Sequence, residues 1–334
     1  MASKRRLADW RDVTGHRVER LAALITGSTI QEIVDRAQSA EGLGYQSAWV
    51  NQLANDRDAG VVLAAMAAHT DRLGLGSFVL PIYTRHPAAM VQLAATLDEL
   101  SGGRFSLGVG VSHRFTVERL WRLKLERPVE AMREYLTILR TALDEGGVAY
   151  DGRQFRARWS YGQPRPGHLP IVVAALSPQM LELAGELGDG VALWMCSPRY
   201  ISETVIPRVT EGRRRVGKTL EGFEVVAGID VYLTTNLEAA RASARPRFAF
   251  YAKLPYYRRV LDAAGFAMEL DKSNISDQMI HDLAAIGGEE AIRECVRRYR
   301  RAGVTLPLLS PLDTKDAGHY EAALRAGWER VAAT

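Results

Sequence analysis

At 334 residues, 47% of them hydrophobic and 25% charged, the chain has the composition of a folded globular protein with a substantial core. Its formal charge of +4 is mild, and its arginine clusters, Arg213 to Arg215 and Arg297 to Arg301, fall on helix-like, solvated faces, so a nucleic-acid partner is not expected. Cys196 and Cys295 stand far apart without metal-ligand spacing, and no apolar stretch has the length of a signal peptide or a membrane span; a reducing cytoplasm without a membrane partner is the expected setting.

Residues 1–20 read as a tail or an extra helix, and residues 21–334 as one domain. Within it eight short apolar runs alternate with helical patterns: 21–26, 46–50, 73–81, 104–110, 171–175, 190–195, 223–233 and 304–310. Most are apolar throughout, as suits parallel strands buried on both faces. The first helix opens at Ser28-Thr29-Ile30-Gln31, read as a capping box, carries Ile30, Ile33, Val34 and Ala37 on one face, and stops at Gly42-Leu43-Gly44. The helix before the fourth run ends at Ser101-Gly102-Gly103. Ser177-Pro178 and Ser197-Pro198 each set an N-cap serine before a proline at the first helical position. Eight alternations point to a closed (β/α)8 barrel of the TIM type, with an open doubly wound sheet as the alternative. Two insertions break the rhythm. Residues 148–168 predict a hairpin and loop, and residues 240–286, with Tyr251, Tyr256 and Tyr257, predict a cover for the C-terminal rim. Cys295 falls on the apolar side of its helix, where a free thiol behaves as a small hydrophobe.

Two strand ends could carry chemistry. Leu107-Gly108-Val109-Gly110-Val111-Ser112-His113 begins like a dinucleotide fingerprint but lacks the third glycine, and no helix opens behind it before Pro128. Its glycines instead let a flat ligand approach the backbone, with His113 either beside that ligand or in an ordinary surface loop. At Ala174-Ala175-Leu176-Ser177-Pro178-Gln179 a strand passes into a helix whose free N–H groups and positive dipole end suit a phosphate; a plain helix cap is the competing reading. No zinc spacing, Gly-x-Ser-x-Gly elbow or Walker loop is present, so hydrolase and kinase chemistry has no support.

Taken in order, several stretches resemble the luciferase-like superfamily of flavin and deazaflavin barrels. They are residues 40–50, Thr84-Arg85-His86-Pro87, residues 95–105, the Gly-Val-Gly run, Leu187-Gly188-Asp189-Gly190 and Ala302-Gly303-Val304. Ser112-His113 together with Met132-Arg133-Glu134-Tyr135-Leu136 is similar to the branch that uses coenzyme F420. The resemblance implies a homodimer with the deazaflavin at the C-terminal mouth and FMN as the alternative cofactor. A bulged third strand with a cis peptide would face the ring; the matching residues are Phe78 and Val79. It places phosphate contacts on the backbone of Leu176, Ser177, Pro178 (carbonyl only) and Gln179, and further cofactor contacts on Ala174, Ala175, Gly110, Val111 and Ser112. His113 matches a position where some relatives carry an acidic residue, and is the expected proton donor or acceptor beside a hydride transfer at C5. Where many relatives have an Asp-His pair this chain has Asn51 and Gln52, which excludes proton transfer through that pair; Asn51 is expected on the ring edge. Gln52, Tyr83, Trp194 and Met195 are the expected substrate side. The expected reaction is reduction of a C=N or C=C bond of a small organic molecule, against an FMN-dependent monooxygenase or a non-catalytic flavin-binding barrel.

Overall fold

The computed structural model describes residues 20–163 and 167–328; the expected N-terminal tail, residues 1–19, lies outside them. Its strands are β1 (Ala22–Leu24), β2 (Ser47–Val50), β3 (Gly74–Ser77), β4 (Leu80–Pro81), β5 (Phe105–Gly110), β6 (Gly147–Asp151), β7 (Arg156–Ser160), β8 (Ile171–Ala174), β9 (Gly190–Leu193), β10 (Glu224–Leu233), β11 (Ala284–Gly287) and β12 (Leu306–Pro311). Parallel pairing runs β10-β12-β1-β2-β3-β5-β8-β9 and returns to β10, which closes the sheet. The barrel is the predicted (β/α)8 fold, and closure disposes of the open-sheet alternative. β4 continues β3 after a cis Phe78–Val79 peptide and pairs with β5. The Ser77 hydroxyl pins this break to β5, donating to the Gly108 carbonyl (2.9 Å) and accepting from its amide (2.8 Å).

The strands are apolar on both faces because each face meets a different core. Outward side chains pack under the helices, as with Leu75, Leu107 and Val173. Inward ones, including Leu24, Trp49, Val172, Val226 and Leu308, fill the barrel. Two large indoles fit inside only because glycine faces them. A Cβ at Gly76 would overlap the Trp49 ring, and one at Gly228 would overlap Trp194. The same economy of space admits Phe78, whose ring meets Trp49 at 6.3 Å and Trp194 at 6.1 Å, both edge to face.

The opposite end of the barrel is held by polar ties. Glu41 accepts the amides of Asp71, Arg72 and Leu73, and Arg104 donates to the carbonyls of Ser101, Ala67, Thr70 and Leu73. Asp189 joins Arg140, His168 (3.2 Å) and the Ile171 amide (2.9 Å).

Four local readings are corrected. The first cap is one residue later than expected: Thr29 accepts from the Glu32 amide and Glu32 reaches back to Ser28 N–H, because Glu32 supplies the carboxylate that Gln31 cannot. A π-helical turn, Phe115–Leu120, stands between His113 and Pro128, where no helix was expected. Arg213 is buried, its Nε donating to the Thr219 carbonyl (2.7 Å) and its guanidinium 5.4 Å from the Phe223 ring, so its cluster is only partly solvated. The long insertion ends in β11, a ninth parallel strand on the edge of β10, after helices at Leu237–Ala252, Pro255–Leu261 and Asp277–Leu283. The expected hairpin is present as β6 and β7, and Glu134 anchors its turn by accepting the amides of Arg153, Gln154 and Phe155 at 2.8–2.9 Å. Ser177 and Ser197 both cap their helices, and Cys295 is buried. No helix among the described residues is long and apolar enough to cross a membrane.

Candidate active site

A cavity of about 310 Å³ opens where the strands end at their C-terminal side. Its floor is the top of the barrel core, Phe78, Val79, Ala174 and Trp194. One wall is the end of β5 with Val111, Ser112 and His113. The closeness of this wall to the floor requires glycine: a Cβ at Gly110 would lie 2.7 Å from Val79 and 3.1 Å from Ala174. Asn51 and Gln52 contribute from the end of β2, and Ala175, Leu176, Ser177 and Met180 from the turn after β8. The remaining wall, Arg247, Tyr251, Tyr256 and Tyr257, comes from the long insertion.

Hydrogen bonding at the β8 turn bears on both readings, plain cap and anion cradle. Ser177 caps the helix weakly, accepting from Met180 N–H at 3.4 Å, and Tyr200 Oη holds the Leu176 carbonyl at 2.7 Å. The amides of Leu176, Ser177 and Gln179 meet no protein acceptor among the described residues. Pro178 brings no N–H at all. Free donors at a helix start beside a cavity are compatible with a bound anion, and a plain helix cap presents them too. Pro178 and Gln179 lie in the first helical turn rather than on the cavity wall itself.

His113 is the one histidine on the cavity wall among the described residues. Burial lowers its pKa below the ordinary 6.5, so the ring is neutral at pH 7. Its ring centre is 5.4 Å from that of Tyr257, and its buried Nδ1 has no protein partner. An orphaned buried nitrogen costs about 1–3 kcal/mol, which a bound ligand would recover.

The other expected residues divide. Gln52 lines the cavity, yet its side chain is already engaged with the Ala59 amide (2.9 Å) and the Leu53 carbonyl (3.1 Å). Trp194 lines it with its indole across the floor. Tyr83 and Met195 do not line it. Tyr83 turns away toward Phe155 (6.5 Å), and burial pushes its phenol up to about 12; Met195, in a left-handed backbone conformation, is buried in the outer core. Sequence reasoning passed over Arg247, because a single arginine inside a helical pattern carries no signal until the helix folds back over its own strand.

An apolar floor, glycine-thinned backbone, three free amides and one orphaned imidazole fit a flat anionic cofactor such as a deazaflavin or flavin. For such a group the amides of Leu176 and Ser177 would face a phosphate, Phe78 and Val79 the ring, and His113 an exchangeable proton.

The family model for luciferase-like monooxygenases matches residues 14–306. The 5,10-methylenetetrahydromethanopterin reductase of Archaeoglobus fulgidus is 29% identical over 284 residues, covering 80% of this chain and 85% of that protein. In structure the chain is similar to the coenzyme F420-dependent tetrahydromethanopterin reductase of Methanopyrus kandleri, with a TM-score of 0.77, 23% identity, and 92% and 95% of the two chains covered. It is also similar to an F420-dependent secondary alcohol dehydrogenase, solved with an F420–acetone adduct, at a TM-score of 0.78 and 18% identity over 93% and 99% of the chains. With the match spanning nearly the whole barrel, the chain belongs to the luciferase-like monooxygenase family.

Proposed function

We propose that this protein is a coenzyme F420-dependent oxidoreductase that reduces a C=N or C=C bond of a small organic substrate. One observation carries the reading: the unpaired amides of Leu176 and Ser177 and one orphaned, neutral imidazole converge on a single cavity with an apolar floor. The similarity to F420-dependent reductases supports the choice of cofactor.

When bound, the deazaflavin supplies hydride donation and acceptance at its C5. The chain's own residues do the rest. The amides of Leu176, Ser177 and Gln179 hold the phosphate. Phe78, Val79, Gly110 to Ser112 and Asn51, which line the cavity, would hold the deazaflavin ring. His113, neutral at pH 7, presents one N–H and one lone pair. In the oxidative direction the lone pair takes up the proton the substrate releases and the ring becomes imidazolium; in the reductive direction that imidazolium hands the proton back and the ring returns to neutral. The aromatic wall from the insertion keeps water from the reacting carbon. Two copies of the chain pair as a homodimer in the cytoplasm, a part of the proposal that light scattering checks.

A second reading, an FMN-dependent monooxygenase, is favoured by the family model itself. Titrating the cofactor-free protein with F420 and with FMN, then assaying imines and enones anaerobically with reduced F420, separates the two. Micromolar binding of FMN without response to F420 overturns the proposal. Binding of F420 with no turnover of any imine or enone restricts the protein to a carrier of the cofactor.

A further inference from the structure

Arg247 is the one charged side chain that lines the cavity among the described residues. It rises from the helix Leu237–Ala252, which follows β10 and folds back over the mouth of that strand. Below it sits Asp230 of β10, whose carboxylate is only 2% exposed. Arg247 Nε donates to Asp230 Oδ2 at 2.7 Å and Nη2 to Oδ1 at 3.3 Å. Burial pushes the Asp230 carboxyl up, and Arg247 and Ser310 draw it back; the carboxylate in turn raises Arg247 against its own burial. Together they form a buried ion pair, and neither bond uses Nη1. The guanidinium also lies 5.4 Å from the Trp194 ring and 5.6 Å from that of Tyr251, and these rings fix its plane.

The rings form a continuous wall. Phe78 meets Trp194 at 6.1 Å, Trp194 meets Tyr251 at 6.2 Å, Tyr251 meets Tyr257 at 5.1 Å, and Tyr257 meets His113 at 5.4 Å. A cation stands beside the middle of that wall, at Trp194 and Tyr251, and the proton-handling imidazole closes one end. Between them stand the rings of Tyr251 and Tyr257.

Resting on the function proposed above, we infer that Arg247 is the substrate anchor and that the substrates are flat, conjugated molecules ending in a single carboxylate. The free Nη1 end of a guanidinium already held in plane is a preorganised donor for an oxyanion. Asp230 already balances its charge, and no second cation lines the cavity among the described residues. A phosphate dianion would add two uncompensated charges beside the buried Asp230, whereas a monoanion adds one. A flat apolar body is what a wall of rings binds well. The same oxyanion chemistry could belong to the cofactor rather than to the substrate, and the experiment distinguishes the two.

Calorimetry with cinnamate and with its neutral isostere cinnamamide, on cofactor-free and F420-loaded protein, is the test. Cinnamate is expected to bind about tenfold more tightly than the amide. Arg247→Lys, which keeps a charge over Asp230 but loses the fork, should lose that preference while F420 affinity stays unchanged. Asp230→Asn, which frees the whole positive charge, should strengthen cinnamate binding and leave cinnamamide where it was. A purely structural Arg247 would weaken both probes equally, and Asp230→Asn would strengthen neither; either result overturns the inference. So does equal binding of the two probes, failure of both to bind at millimolar concentration, or loss of F420 affinity in Arg247→Lys, which would assign the arginine to the cofactor. If wild-type protein ignores F420 yet still prefers cinnamate, the anchor stands and the F420 reading fails.

Discussion

Substituting Gly228 by Ala tests how the barrel core sets the floor of the site. The added methyl would overlap the Trp194 ring and come within 3.6 Å of Phe78. Alanine is favoured over glycine in a strand by about 0.5–1 kcal/mol, because it has less backbone entropy to lose. Forcing one extra carbon into a packed core costs about 1–3 kcal/mol, which exceeds that gain. The net destabilisation is then up to about 2.5 kcal/mol. At roughly 2.1 cal/mol/K per residue, unfolding 334 residues carries an entropy of about 0.7 kcal/mol/K, so Tm falls by up to about 4 °C. Trp194 is the group that must yield, and it lines the cavity, so F420 affinity should fall as well. Thermal melts and cofactor titration of Gly228→Ala, Trp194→Leu and the double variant form a cycle. The leucine leaves room for the methyl, so Gly228→Ala should cost nothing in its background, a coupling of about 1–2 kcal/mol. Equal cost in both backgrounds would refute the claim that glycine stands at 228 to admit the indole.

Four further outcomes follow from particular groups. His113→Ala should lower turnover by about 10²–10⁴ while F420 affinity changes little, and unchanged turnover removes it from the chemistry. Burial depresses the His113 pKa, so protons bind the unfolded chain more readily near pH 6; stability contributed by keeping this ring neutral is present above 6.5 and lost as pH falls below it. A melt series should therefore show the acid-side loss shrink in His113→Phe, and an identical loss in both proteins would count against it. Despite its burial, Asp189 is held at about 2 by His168, Arg140 and the Ile171 amide. Because its folded pKa lies below the ordinary 3.8, it stabilises the protein above that value and the contribution disappears as pH drops toward 2; Asp189→Asn should cost about 1–2 kcal/mol at pH 7 and flatten the acid limb. Glu134→Ala should strand three backbone amides and cost about 1–3 kcal/mol, with local deprotection of residues 153–155 in hydrogen exchange. Exchange unchanged there would show that the hairpin holds itself.

The strands were legible because each is apolar on both faces, a pattern that parallel strands between two cores require and that few other elements satisfy. The stretches that carry the family resemblance mostly proved to be ties of the scaffold. Glu41, Arg104 and Asp189 satisfy loop backbone at one end of the barrel, His86 accepts from the Ala88 amide at a helix start, and Glu134 anchors the hairpin. Such local bonds impose fixed spacings, and fixed spacings can be read along a chain. The Gly110-to-His113 wall and the Ser177 turn were readable for the same reason: strand end, cap and loop are each set by neighbours in sequence.

What the sequence could not give was distance between segments. The pairing of Asp230 with Arg247, the line of rings from Phe78 to His113 and the inward slot for Trp194 arise only when the insertion folds back over the closed barrel. Each joins residues that lack any periodic or motif relation. Tyr83 and Met195 show the converse, since both stand at strand ends that ought to face the mouth, yet packing turns them elsewhere. The chain alone thus determined the scaffold and the strand-end wall of the cavity, where local hydrogen bonding decides. Tertiary packing decided the substrate side, because long-range burial of charge and aromatic surface selects which side chains face the cavity.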